Sequence, residues 1–526
     1  MAKGERRQSE DPLDATTVDP ASRAASVAAV VAPALTIVAH PDLERVGERA
    51  ILTSLASGER VPLSRRAPAF AAPGELTGTP LTDAHVSRQP LFIEPDGDGF
   101  ALVIPADATT VRVSASPVVG RRPLARAELD AGLVIELADR VVLLLHWTSP
   151  LLPRGEQLGL VGESDGIHQL RHHVTRVAAH RVPVLLRGES GTGKELVARA
   201  IHDHSPRSGE SFVGVNMAAI PSSTAAAALF GHAKGAFTGA VQANHGYLGS
   251  AAGGTLFLDE IGDTPADIQA ALLRALESGE VQPVGEDLPR RFDVRFVAAT
   301  DADLATAVDE GRFRLSLLER LGGYEIELPP LRARRDDIPR LLVHFVREEL
   351  ARAGHEERLA PTGASERPWL PAWLLAAATR HDWPGNVRGL RNFAQQLVIG
   401  WCDVSEVPRD GTIERVLGAA LLPPVSSPGP AAGRRRISEI GEAEVVEALR
   451  QHGYRPSAAA AALGVSRTSF FKLMKSHPTV RSASDLERTE IEQSLTEAEG
   501  DVKRAAQQLE VSERALRMRL KALGLG

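Results

Sequence analysis

The stretch Gly188-Glu189-Ser190-Gly191-Thr192-Gly193-Lys194-Glu195 constrains the fold of this chain more than any other. It follows a short apolar run, Val182 to Leu186, that predicts a buried parallel strand. It leads into Leu196, Val197, Ala200 and Ile201, whose spacing places them on one face of a helix. Strand, glycine-rich loop, lysine and helix together make a phosphate cradle. Backbone N–H groups wrap an anion at the positive end of the helix, and Lys194 neutralises its outer charge. Gly188, Glu189, Ser190, Gly191, Thr192, Gly193, Lys194 and Glu195 are therefore the candidate nucleotide-binding residues. The position after the lysine usually carries a Ser or Thr hydroxyl for magnesium; here it is Glu195, so the ion must rely more on other ligands.

A chain of 526 residues exceeds a single hydrophobic core and predicts three or four domains. No apolar run is long enough to cross a bilayer, and the polar N-terminus lacks the apolar core of a signal peptide. The single cysteine, Cys402, excludes an intrachain disulfide and fits a reducing cytoplasm. A net charge of −7 excludes a general nucleic-acid coat, so any DNA contact must be local. His172-His173 and His202/His204 raise the question of a metal. Without a clear ligand set, solvated helix histidines are the preferred reading.

Residues 1–28 are rich in Ala, Ser and Asp and predict a disordered N-terminus. Residues 29–148 carry short β runs separated by turns: Leu35–Val38, Ala50–Leu55, Phe100–Ile104, Val134–Leu137 and Val141–His146. These predict a β-sandwich. Its motifs Val46-Gly47-Glu48, Leu63-Ser64-Arg65-Arg66, Leu81-Thr82-Asp83 and Val86-Ser87-Arg88 resemble a forkhead-associated (FHA) domain. That resemblance implies phosphothreonine binding by Arg65 and Ser87, with Arg88 beside them; guanidinium and hydroxyl suit phosphate oxygens. The family's histidine after Ser-Arg is Pro90 here, and its later Asn-Gly pair is missing from Ala108–Ser116. Two readings stand, phosphothreonine recognition and a sandwich used for protein contact alone.

A Pro-containing linker, 149–157, leads to an α/β domain over 158–330. Phe212–Val215 and Val294–Ala299 predict further strands of a parallel sheet alternating with helices. Gly254-Thr255-Leu256-Phe257-Leu258-Asp259-Glu260 reads as a buried strand ending in two carboxylates. Asp259 is the candidate magnesium ligand, and Glu260 the group that orients and deprotonates water. Thr264 is expected to cap, and Pro265 to open, a helix burying Ile268, Leu272, Ala275 and Leu276 and ending at Gly279.

Between these motifs lies Leu229-Phe230-Gly231-His232-Ala233-Lys234-Gly235-Ala236-Phe237-Thr238-Gly239-Ala240. A phenylalanine set among glycines predicts an exposed aromatic on a partner-binding loop. With this string, residues 158–400 resemble the AAA+ domain of bacterial enhancer-binding proteins, the activators of sigma-54 RNA polymerase. The resemblance implies that Gly235, Ala236, Phe237, Thr238, Gly239 and Ala240 contact sigma-54. It implies that Asn216 restrains the catalytic glutamate and that Thr300 is the first sensor, although Asp301 follows where Asn is usual. It implies that Arg314 and Arg320 are arginine fingers for a neighbour's ATP site, and hence a homo-oligomeric ring, a hexamer; surface ion pairing is the alternative use of these two arginines. Leu328-Pro329-Pro330-Leu331-Arg332 closes the α/β part. A helical lid, 331–400, carries Trp383-Pro384-Gly385-Asn386-Val387-Arg388, whose Arg388 matches the second sensor. Ala228, Gly249, Ser316 and Gly389 depart from the family pattern and bear on coupling more than on ATP binding.

A second linker, 401–437, precedes an all-α tail with an internal repeat. Val445/Ile491, Leu449/Leu495, Ala459/Ala505, Leu463/Leu509, Val465/Val511 and Phe470/Leu516 are each 46 positions apart. Residues 438–480 and 481–526 each resemble a Fis-type helix-turn-helix. The first presents Arg467, Lys472 and Lys475, and the second Arg514, Arg517, Arg519 and Lys521, to DNA; dimerisation hairpins are the alternative. The whole reads as a multidomain, cytoplasmic ATP-driven activator with ATP and Mg2+ as cofactors. Its partners would be sigma-54 polymerase, upstream enhancer DNA and a phosphothreonine protein or kinase, with no membrane. The other classes are a non-motor DNA-binding repressor with a weakened ATPase and a phosphopeptide scaffold.

Overall fold

The computed structural model describes residues 31–75, 77–149, 156–238, 240–361, 367–422 and 442–451. Beyond these it describes 454, 459, 463, 470, 488–498, 502–509, 511, 516, 517, 519 and 520. They form two compact units, divided after Pro424.

The first unit opens with two antiparallel sheets over a common core. The six-stranded sheet runs Arg49–Ile51, Ala32–Ala39, Val141–Thr148, Leu133–Leu137, Val111–Val113, Ser116–Val118; the four-stranded sheet runs Val61–Leu63, Leu91–Asp96, Gly99–Ile104, Gly120–Leu124. Strand side chains alternate between faces, so Leu35, Ile37, Leu143 and Leu145 fill the space between the sheets. Their neighbours Val38, Val142, Leu144 and Val134 point the other way, yet they are also buried. The run expected as one strand from Ala50 to Leu55 divides instead into the strand Arg49–Ile51 and a helical turn, Thr53–Ala56. Leu52 and Leu55 are carried into the core from the turn.

A five-stranded parallel sheet follows, built from β1 (Val184–Arg187), β2 (Phe212–Asn216), β3 (Thr255–Asp259), β4 (Arg295–Thr300) and β5 (Tyr324–Glu327), in the order β5-β1-β4-β3-β2. Helices cover both faces: α1 (Asp165–Ala178), α2 (Lys194–Asp203), α3 (Ser222–Phe230), α4 (Gly246–Ser250), α5 (Ala266–Ser278), α6 (Leu304–Asp309) and α7 (Leu315–Leu321). Val184 and Leu186 pack on α1 and α2, and Leu185 faces the opposite layer with α3 and α5. Successive strand residues thus feed two cores, as a sheet buried on both faces requires.

The structure departs from three local expectations. Leu196 is 58% exposed, and Ala198 takes its place on the buried face with Val197, Ala200 and Ile201. Thr264 does not cap α5; Pro265 occupies the N-cap, while Gln269 Nε2 donates to the Thr264 carbonyl at 2.9 Å. His202 is not solvated. It is buried, and its Nδ1 bonds Thr255 Oγ1 at 2.9 Å, while burial lowers its pKa.

The lid comprises α8 (Ile338–Ala353), α9 (Ala372–Arg380), α10 (Asn386–Trp401) and α11 (Gly411–Leu417). Helix α11 lies inside the segment read as linker from 401, and its Ile413 and Leu417 are part of the lid core. That core does not stop at the lid. Val38, Ala39, Val134, Val142 and Leu144 of the six-stranded sheet, with Leu43 and Val46 from the turn after its Ala32–Ala39 strand, belong to the same cluster as Leu341, Phe345, Leu374 and Leu375. The sheet's outer face is thus covered by α8 and α9, with ion pairs Arg49–Asp336 (2.5 Å) and Arg380–Glu136 (2.8 Å) at the seam.

The second unit has α12 (Glu442–Gln451), α13 (Arg488–Glu497) and α14 (Val502–Gln508). One small core contains Val445, Leu449, Ala459 and Phe470, with Leu463 packed against it; another contains Ile491, Ala505 and Leu516, with Leu495 and Leu509 packed against it. These are the positions related by the 46-residue spacing.

Candidate nucleotide site and partner loop

Parallel register brings the strand ends into one row: Arg187 pairs with Thr300 and with Glu327, and Asn216 with Asp259. Ligands of open α/β sheets bind beyond such carboxyl ends, and the glycine-rich loop leaves β1 there. Gly193 caps α2 with φ +104, and Gly191 has φ +79, conformations that glycine adopts at little cost. Lys194 is buried against the loop, its Nζ donating to the carbonyls of Gly188 (2.8 Å) and Glu189 (3.4 Å). Thr192 Oγ1 donates to the Glu189 carbonyl at 2.8 Å. Glu195 is exposed on the first turn of α2.

Asp259 ends β3, and Glu260 follows at φ +52, a left-handed conformation uncommon outside glycine. This turns the chain sharply between the two carboxylates, into the short turn Ile261–Asp263. Burial pushes the Glu260 carboxyl above its ordinary value. The charges of Asp301 and Asp259 add to this, while Lys194 and the Asp301 backbone N–H oppose it. Loop, lysine and both acids therefore share one electrostatic site. Asp259, Glu260 and Asp301 are hard oxygen donors, a donor set that fits magnesium. Thr300 is buried at the end of β4, where its Oγ1 accepts from Ala302 N at 3.0 Å, beside the Glu260 turn. Asn216 Oδ1 accepts from Ala219 N at 3.2 Å, and no hydrogen bond joins it to Glu260 among the described residues.

The lid reaches the loop. Arg388 Nη1 donates to Ser190 Oγ at 3.2 Å and its backbone N–H to the Gly191 carbonyl at 3.3 Å. A Cβ on Gly191 would stand 2.4 Å from the Gly385 carbonyl oxygen. Two residues that motif reading passed over stand here as well. Arg332 donates through both Nη atoms to Glu189 (2.5 and 2.8 Å), and Asn386 Nδ2 donates to Glu189 Oε2 (3.1 Å) and to the Ser190 carbonyl (3.0 Å). Glu189, taken from sequence as a nucleotide residue, thus directs its side chain to the lid.

Phe237 is 46% exposed, its ring 5.0 Å from that of His232. The loop is closed by Gly235 N to Ala240 O (2.8 Å) and Ala240 N to Phe237 O (3.0 Å), with Thr238 exposed; Gly239 lies outside the described residues. Ala236 rests against Gly285, in the hairpin Glu280–Arg291, and Ala233 N donates to Val284 O at 2.9 Å. Arg314, exposed at the start of α7, uses its backbone N–H on Gln269 Oε1 at 2.9 Å. Arg320 is also exposed, but its guanidinium bonds the Leu276 carbonyl at 3.2 and 3.3 Å.

In the N-terminal sheets, Arg65 N donates to Ser87 O at 3.2 Å, which brings those two loops side by side. Ser87 Oγ accepts from Gln89 N at 3.0 Å, and Arg88 is exposed. Of the candidate DNA contacts, Arg517 and Arg519 are described; Arg467, Lys472, Lys475, Arg514 and Lys521 lie outside the described residues.

Residues 160–327 match the sigma-54 interaction domain, 332–407 the AAA+ ATPase lid domain, and 482–523 the bacterial regulatory protein, Fis family. The DNA-binding transcriptional regulator NtrC of Escherichia coli (strain K12) is 36% identical over 403 residues, covering 75% of this chain and 77% of its own. This chain belongs to the NtrC family of sigma-54-dependent transcriptional activators. It is also similar to the nitric oxide reductase transcription regulator NorR1 of Cupriavidus necator, 38% identical over 60% of this chain and 63% of that one. Among solved structures, NtrX from Brucella abortus in complex with ATP is 31% identical, covering 62% of this chain and 70% of that one, with a TM-score of 0.43. Membership assigns the chain an AAA+ module, a lid and a Fis-type DNA-binding end. No helix among the described residues is long and apolar enough to cross a membrane.

Proposed function

We propose that this activator hydrolyses ATP within a ring of its own copies and uses the cycle to remodel sigma-54 polymerase from upstream DNA. The observation that carries this reading is the meeting of Lys194, Asp259 and Glu260 at the loop mouth, where burial pushes the Glu260 carboxyl above its ordinary value. Lys194 would leave the loop carbonyls for the β- and γ-phosphates. Asp259 would hold magnesium, which when bound offsets charge on the phosphate oxygens. Glu260 would accept a proton from the attacking water. Arg314, exposed and free of any side-chain partner among the described residues, is the better finger for a neighbouring subunit's ATP; Arg320 would first have to leave Leu276. Phe237 and Thr238 would touch sigma-54. The test is ATP-dependent open-complex formation with purified sigma-54 polymerase. Hydrolysis without open complexes would leave only the repressor reading.

The N-terminal sheets are read as an FHA-type input in which Arg65 and Ser87 hold a phosphothreonine. The contact between their loops supports this. Titration with a phosphorylated and an unphosphorylated peptide tests it, and equal affinities would leave protein contact alone. The tail is read as two helix-turn-helix copies, supported by matching buried positions in its two cores.

A further inference from the structure

Asn386 is fully buried and holds φ +48, at the start of α10. Its side chain uses both ends. Oδ1 accepts from Leu331 N at 2.8 Å, where the chain crosses from the α/β domain into the lid. Nδ2 donates to the Ser190 carbonyl and to Glu189 Oε2 in the glycine-rich loop. Arg332, the next residue along the crossover, grips the same Glu189 carboxylate bidentately. One amide therefore joins three segments: phosphate loop, hinge and lid helix. Paired with Arg332 and Asn386, the Glu189 carboxyl is held down at about 2 and stays ionised at any working pH.

We propose that Asn386 is a positioning residue for nucleotide: with Arg332 it latches the phosphate loop to the lid through Glu189, so that lid position sets how the loop N–H groups meet the phosphates. The inference rests on the ATP-binding reading above. It also separates two reasons for an asparagine at this place. Asparagine tolerates a left-handed backbone better than most residues, and if that were its whole use, glycine would replace it without loss. If the amide is the working part, glycine fails.

The test uses the full chain and measures KM for ATP, kcat and thermal unfolding for wild type, Asn386→Gly, Glu189→Ala and the double variant. Asn386→Gly and Glu189→Ala are each expected to raise KM about tenfold or more while kcat changes less, with the double variant close to the worse single one, because both cut one latch. Wild-type KM in Asn386→Gly overturns the proposal, as does a double variant whose effects multiply. Should Asn386→Gly fail to fold, Glu189→Ala decides alone, since its side chain is at the surface and an unchanged KM there ends the latch. A wild-type chain that binds no ATP would overturn the nucleotide reading and the latch with it; a wild type that binds normally beside an indifferent Asn386→Gly sinks only the latch.

Discussion

The backbone N–H of Asp301 draws the Glu260 carboxyl toward its ionised form, while the Asp301 side-chain charge pushes the same carboxyl up. One residue thus acts on the base in opposite directions, and its side-chain charge is the larger influence. The base works only when ionised, so turnover falls as pH drops through its pKa. Asp301→Asn keeps the N–H and removes the charge, which lowers that pKa. The acidic limb of the kcat–pH profile should move to lower pH, read from ATPase rates between pH 4 and 8; a limb that stays put would detach Asp301 from Glu260.

Glu260→Ala and Lys194→Ala should fail differently. Without the carboxylate, kcat should fall roughly 10²- to 10⁴-fold, with fluorescent-nucleotide affinity near that of wild type. Lys194→Ala should lose affinity itself. Equal turnover by Glu260→Ala and wild type would remove Glu260 from the chemistry.

The exposed loop should uncouple when altered. Phe237→Ala is expected to keep ATP hydrolysis within a few-fold and to lose open complexes. Gly285 has φ +78, and a Cβ there would stand 2.8 Å from Ala236 Cβ, so Gly285→Val should displace the loop and give the same phenotype from outside it. Normal activation by both variants would contradict this use of the loop.

The seam between sheet and lid contains a costly carboxylate. Burial pushes Asp336 above its ordinary pKa of 3.8, and Arg49 at 2.5 Å pulls it back. A raised carboxyl favours the folded state when protonated, so its burden appears as pH rises above that value. Arg49→Ala should therefore destabilise the first unit by about 3 kcal/mol near pH 7 and by much less near pH 4. Chemical unfolding at the two pH values measures this; a cost independent of pH would mean that Arg49 acts through packing alone.

For DNA, Arg517→Ala with Arg519→Ala should weaken enhancer binding and reduce the salt slope by about two. Arg467→Ala with Lys472→Ala should weaken it less and shorten the protected region. An unchanged footprint in the second case would make residues 438–480 a dimerisation hairpin.

What could be read from residues alone was what is local. The spacing of Gly188, Gly191, Gly193 and Lys194 needs only a few consecutive residues, and so does a strand that ends in Asp259-Glu260. The latch was not legible, because Asn386 and Glu189 lie 197 positions apart and meet only when the lid folds back. Leu196 and Ala198 differ by about half a helical turn, and no periodicity decides which of them the sheet will cover. A signal did exist for the docked sheet. Val141 to Leu145 is apolar at every position, which marks a strand buried on both faces, whereas a half-solvated sheet would alternate. Asp301 was noticed as a departure, but its pressure on Glu260 depends on the β3–β4 pairing, which the sequence does not spell out.

The core shared by the N-terminal sheet and the lid restricts how any signal can travel. Pulling the two apart would bare Val38, Leu43, Val46, Val134, Val142 and Leu144, at roughly 1.5 to 3 kcal/mol for each large side chain. That total is on the order of 10 kcal/mol, well beyond the 1 to 3 kcal/mol by which one ligand commonly biases another site. Release is therefore out of reach for a small ligand. Whatever the N-terminal sheets bind must therefore be felt by the lid across an intact core, where Val38, Val142 and Leu144 meet α8 and α9.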